Sequence, residues 1–212
     1  MRLDEVAVLG QASIQLRGSK KIYFDPFDLN DSPHDADVIL ITHSHYDHLS
    51  PEDIEKVRGA STVLVLPASE EKQGKALGFD SAHLLALAPG ERGEAAGVPV
   101  EAVAAYNKHK PFHPKRNGWL GYVVTMDGIR YYVAGDTDDI PEAEAVGCDV
   151  ALVPVGGTYT MDAPAAARLV NTIRPGAAIP IHYGGIVGSE DDADRFLSLL
   201  SPGICGEKRM KN

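Results

Sequence analysis

The stretch "VILITHSHYDHLSPEDI" (38–54) limits the possible folds more than any other part of this chain. An apolar run of strand length opens directly onto three histidines and an aspartate, and then onto a helix start. His43 and His45 stand two apart at the strand end, where extended backbone sends both imidazoles to one side. Two nitrogens on one face make half of a metal site. Asp47 and His48 follow at the turn into a helix with Ser50 as N-cap, Pro51 at its first position and Asp53 at its third. A solvated, histidine-rich turn is the competing account. The two differ in whether other ligand-type residues stand at the ends of other strands.

They do. "KIYFD" delivers Asp25, "RYYVAGD" delivers Asp136 and "AAIPIH" delivers His182, each at the C-terminal tip of an apolar run, the edge where open α/β sheets bind ligands. Further strand-length runs lie at 6–9, 13–17, 62–66, 83–87, 100–106, 121–126 and 150–155, most bounded by Gly, Pro, Asp or Asn. Tight links such as "RGSK" predict antiparallel hairpins at the start, and Asp127-Gly128 predicts a type I′ turn between 121–126 and 130–135. Helices are predicted over 50–57, over 69–78 with Ser69 as cap, over 161–176 opening at Asp162, and over 189–200 opening at Ser189. Strands of both kinds mixed with helices predict layered α/β packing. With no linker, low-complexity tract or repeat, residues 1–212 read as one domain.

Composition narrows the function. The net charge of −10 on 212 residues disfavours nucleic acid and anionic membrane as partners, since both require basic surface. A small-molecule substrate remains, and an anionic one is compatible, because bound divalent cations reverse the local sign. Cys148 and Cys205 form no C-x-x-C pattern and read as thiols in a reducing compartment. The start lacks a signal-peptide pattern, and no run approaches the ~18 apolar residues of a membrane span. The expectation is a cytoplasmic protein of undetermined oligomeric state.

Together these motifs resemble the metallo-β-lactamase-fold superfamily of hydrolases. Asp25 matches its first motif, His43, His45, Asp47 and His48 the H-x-H-x-D-H second motif, Asp136 in "GDTD" the fourth and His182 in "IPIHYG" the fifth. "AGDTD", "LVPVGGTYTMDA" and "IPIHYG" are similar to a compact branch that includes ascorbate-6-phosphate lactonase-like proteins. The resemblance implies a four-layer αββα sandwich, with two mixed sheets and helices on their outer faces. It also implies two divalent metal ions. His43 and His45 would hold one; Asp47, His48 and His182 would hold the other, with Asp136 between them and Asp25 supporting a ligand histidine from behind. Zinc suits this N/O donor set best, with Mn or Fe as alternatives. The implied activity is hydrolysis of an ester, lactone or phosphoester by a metal-bound hydroxide, with Asp47 and His48 in catalytic roles. The alternatives are a non-catalytic metal-binding or regulatory relative and a di-iron oxidoreductase.

One motif departs from pattern. The third-motif histidine position falls at Asn107 in "AAYNKHKPFHPKRNGW", and an amide is a poor transition-metal ligand. His109 and His113 are the substitutes on the same loop, with His113 preferred because Pro111 and Pro114 stiffen it. Lys108, Lys110, Lys115 and Arg116 form the one basic cluster nearby, suited to a substrate phosphate or carboxylate or else simply solvated. Gly156, Gly157, Thr158 and Tyr159 offer either oxyanion contacts or a tight turn. Trp119 reads as a packing residue.

Overall fold

A computed structural model describes residues 3–210. The first sheet runs in chain order, β1 (Val6–Gly10), β2 (Ser13–Arg17), β3 (Lys21–Phe24), β4 (Ala36–Leu40), β5 (Arg58–Pro67) and β6 (Leu84–Leu87). β1 to β3 pair antiparallel, as the short links predict, and β3 to β6 pair parallel. The second sheet begins with an antiparallel meander of β7 (Arg92–Ala95), β8 (Val98–Ala104), β9 (Leu120–Met126) and β10 (Ile129–Val133). It continues parallel through β11 (Val150–Pro154), β12 (Ala177–Ile181) and β13 (Cys205–Gly206). Asp127 and Gly128 both take positive φ, +53° and +79°, as the turn between β9 and β10 requires.

Five α-helices connect the parallel strands: α1 (Pro51–Val57), α2 (Glu71–Ala76), α3 (Pro141–Glu144), α4 (Ala163–Ile173) and α5 (Glu190–Ser198). Ser50 caps α1, Asp162 caps α4 and Ser189 forms a capping box with Asp192 on α5, each as expected. Ser69 does not cap. It lies inside a short 3₁₀ turn, Ala68–Glu70, which leads into α2.

Side-chain alternation sorts the strands into four layers. Phe24, Leu40 and Val65 from the first sheet pack against Tyr122, Val133 and Leu152 from the second. Their neighbours Tyr23, Ile39, Ile41 and Leu64 point the other way, onto Ile54 and Val57 of α1. On the far side of the second sheet, Val123, Tyr132 and Val153 meet Leu169 and Val170 of α4 and Phe196 of α5. Each sheet is therefore buried on both faces, which explains why its parallel strands read as continuous apolar runs. This is the αββα sandwich with two mixed sheets.

Backbone hydrogen bonds clamp the two sheets together at one edge. Leu120 N–H donates to the Thr42 carbonyl at 3.0 Å, and His182 N–H donates to the Gln11 carbonyl at 2.8 Å. The Tyr122 hydroxyl donates to the Ile41 carbonyl at 2.7 Å. The ends of β3, β4, β10 and β12 meet at this edge.

Candidate metal centre

β4 stops at Leu40, three residues before His43, so both histidines lie beyond the paired strand. The ladder is broken by Asp25. With φ at +43° it turns the chain away from β3, and its carboxylate takes over as acceptor for the Thr42 N–H (2.8 Å) and the Thr42 hydroxyl (2.6 Å). The segment then bends back, with the N–H groups of His48 and Leu49 donating to the His45 carbonyl. This turn carries Asp47 and His48 back toward the two earlier histidines, whose nearest nitrogens, His43 Nε2 and His45 Nδ1, are 3.1 Å apart.

Three overlapping groups of side chains result, each with its ligand atoms within 4.8 Å of one another: His43, His45 and His113; His43, His48 and Asp136; Asp47, His48 and His182. Asp136 stands at the centre. One of its oxygens is 3.3 Å from His113 Nε2, 3.3 Å from His182 Nε2 and 4.0 Å from His43 Nε2; the other is 3.6 Å from His48 Nε2. Asp47 is 3.6 Å from His48 Nε2 and 3.8 Å from His182 Nε2. Gly135 makes room for this approach: its φ is +65°, and a β-carbon there would lie 2.7 Å from the Leu120 carbonyl oxygen. Three of the site residues, Asp25, His113 and His182, themselves hold positive φ, a costly conformation for residues with side chains.

Apart from His45, which is exposed, the cluster is buried, and its electrostatics follow from that. Burial pushes the His113 imidazole down to about 4 and holds His43 well below its ordinary value, so both are neutral nitrogen donors. Burial would lower His48 too, but the carboxylates of Asp136 and Asp25 outweigh it and raise His48 to about 9. Burial would raise Asp136, yet the imidazoles of His182, His48 and His43 hold it well below the usual carboxylate range. Two ring nitrogens, His48 Nε2 and His113 Nε2, are buried with no hydrogen-bond partner although both face the cluster. Such orphaned atoms are costly unless something else takes up their lone pairs. A divalent cation fits that role, and the all-N/O donor set suits zinc.

At the third-motif position, His113 is the residue brought to His43 and His45. Asn107 is not among the clustered ligand atoms: its amide nitrogen donates to the Tyr159 carbonyl at 2.7 Å and the Phe112 carbonyl at 3.1 Å, and stands 3.3 Å from His113 Nδ1, behind the nitrogen that faces the cluster. His109 borders a separate hollow with Lys108 and Lys110. The basic cluster does not reach the metal edge. Lys108 pairs with Asp139, Lys110 with Asp138 and Lys115 with Glu142, while Arg116 is exposed. The Gly157 and Thr158 N–H groups are engaged within their own turn, donating to the Met161 and Gly156 carbonyls, so they are not oxyanion donors. A β-carbon at Gly156 would lie 2.4 Å from the His182 carbonyl oxygen, so this turn packs directly on the ligand segment.

Two contributors escaped the sequence reading. Trp119 is not a core residue. Its ring lies tilted at 4.8 Å from His43 and edge-on at 4.9 Å from His45, and its indole N–H donates to Glu70, which also accepts from Ser44. Gln11, buried between β1 and β2 with φ at +46°, brings its amide 3.2 Å from His182 Nε2. A polar residue isolated between two apolar strands was its only signal.

Residues 5–182 match the β-lactamase superfamily domain. Over 207 residues the chain is 34% identical to a metal-dependent hydrolase of Thermoplasma acidophilum, covering 90% of this chain and 88% of that one. A metal-dependent hydrolase of Pyrococcus abyssi is 31% identical over 92% of each chain. The solved structure of a putative metal-dependent hydrolase from Parabacteroides distasonis superposes with a TM-score of 0.79 at 31% identity, covering 96% of this chain and 91% of that one. The chain belongs to the β-lactamase superfamily, in its UPF0173 group of metal-dependent hydrolases.

Proposed function

We propose that this chain is a dinuclear, zinc-dependent hydrolase of ester, lactone or phosphoester bonds. The observation that carries the reading is the pair of buried, partnerless nitrogens on His48 and His113, facing Asp136 in a ring of further ligand atoms. His43, His45 and His113 would hold one ion and Asp47, His48 and His182 the other, with Asp136 within reach of both groups. Bound there, the cations supply an acidified water and polarise the carbonyl or phosphoryl oxygen.

The remaining work falls to the chain. The Asp25 carboxylate accepts from His48 Nδ1 at 2.7 Å, which fixes the tautomer and aims Nε2 at the cluster. Trp119 and the clamped sheet edges keep the imidazoles from relaxing. Asp47 borders the open cavity of about 250 Å³ and is placed to take a proton from the attacking water. For an ester, the water oxygen adds to the carbonyl carbon and the acyl C–O bond breaks. Asp47 returns its proton to the leaving alkoxide, so an acid and an alcohol depart.

The test is turnover by zinc-reconstituted protein on a panel of carboxylic esters, lactones and phosphodiesters, with and without a chelator. Chelator-sensitive hydrolysis, abolished in Asp47→Asn, is expected. No turnover on any class by fully loaded protein overturns the reading. Among the described residues no helix is long and apolar enough to cross a membrane.

A further inference from the structure

Four large hydrophobic side chains stand exposed among the described residues, and three of them, Tyr46 (67% exposed), Phe112 (42%) and Ile186 (43%), border the metal cavity. Exposed apolar groups gathered at one place mark binding surface. Tyr159 completes the rim. These side chains come from four separate loops and are braced. The Phe27 ring meets Tyr46 edge-on at 5.8 Å, and Phe112 meets Tyr159 edge-on at 4.8 Å. The Asn107 amide ties the Phe112 and Tyr159 backbones together from below. No lysine or arginine lines the cavity among the described residues, and the nearby lysines are each paired with a carboxylate. The cavity, at about 250 Å³, is also below the ~300–1,000 Å³ of sites for drug-sized ligands.

On these grounds we propose that the cavity selects a small, uncharged carbonyl substrate carrying an aliphatic group, which seats against Tyr46, Phe112, Tyr159 and Ile186 while the carbonyl faces Asp136 and Asp47. A substrate with a phosphate or carboxylate tail finds no basic side chain to receive it. This specificity rests on the hydrolase reading, but it concerns the walls of the cavity rather than its floor.

Straight-chain alkanohydroxamates from acetyl to octanoyl, titrated into the zinc-loaded protein by calorimetry, separate the two. Affinity should rise roughly fourfold per methylene until the cavity is full. Ile186→Ser and Tyr46→Ser, both at exposed positions that tolerate polar replacement, should flatten that rise. In parallel, kcat/KM for uncharged butanoate and hexanoate esters should exceed that for the acetate ester and for a hemisuccinate ester. A flat hydroxamate series, or tighter binding of a carboxylate-tailed hydroxamate of equal length, overturns the proposal. A rising series without turnover of any ester, lactone or phosphodiester upholds the apolar cavity and overturns the hydrolase reading instead.

Discussion

The Asp25 carboxylate lies 2.7 Å from His48 Nδ1, with both residues buried and the same oxygen also 2.6 Å from the Thr42 hydroxyl. A residue at the end of one strand thus orients a ligand histidine that follows the next. Supporting contacts of this kind are worth about 10- to 100-fold in metal affinity. Asp25→Asn should weaken zinc binding by that order, measured by competition with a chelating dye. Asp37→Asn, at a half-buried ion pair with Lys20 away from the cluster, should leave it unchanged.

The chain has a single tryptophan, and its ring packs against His43 and His45. Trp119 fluorescence therefore reports on the cluster without labelling. Titration of the metal-free protein with Co²⁺ is expected to quench the emission in a saturable manner. His45→Ala should weaken that response and Trp119→Phe should remove it.

In the metal-free protein His48 is raised to about 9, by Asp136 and Asp25 acting against burial, while burial lowers His113 to about 4. At neutral pH His48 is charged and His113 neutral, which nitrogen chemical shifts in the metal-free protein check directly. The folded-state value of His48 lies above its unfolded value of ~6.5. Its charged form therefore stabilises the metal-free fold fully below about pH 6.5, and that contribution fades as the pH rises to about 9. Zinc must displace this proton, so affinity should climb with pH across the same interval.

Asn107 holds the Phe112 and Tyr159 loops through its amide nitrogen, while its oxygen is buried without a partner. Asn107→Ala removes both donated bonds and leaves two carbonyls to find water. The same amide nitrogen stands 3.3 Å from His113 Nδ1, so the expected result is a higher KM for uncharged aliphatic esters together with weaker zinc binding. A raised KM with zinc affinity unchanged would confine Asn107 to the wall of the cavity.

Most of the fold was legible because strands buried on both faces read as unbroken apolar runs. β7 and β13 were not, and for local reasons. β7 is the polar edge "RGEA", and β13 is two residues long and paired to β12 alone. At the site, the ligand types could be read from their place at strand ends, but the way they converge could not. The nearness of His43 and His45 follows their spacing, but the capture of the Thr42 N–H by Asp25, a residue distant in sequence, and the turn that returns Asp47 and His48 carry no local signal. The lysine cluster beside His113 suggested an anion site, yet its charges are met by Asp138, Asp139 and Glu142 from a different segment. Trp119 and Gln11 carry no motif; only the clamped edge between the sheets reveals their part.

Anomalous diffraction at the zinc edge, from crystals of the zinc-loaded protein, addresses the central claim most directly. Two peaks are expected about 3.5–4 Å apart on either side of Asp136, one against His43, His45 and His113 and the other against Asp47, His48 and His182. Zinc bound elsewhere, or no peak within this cluster at full loading, would contradict the account.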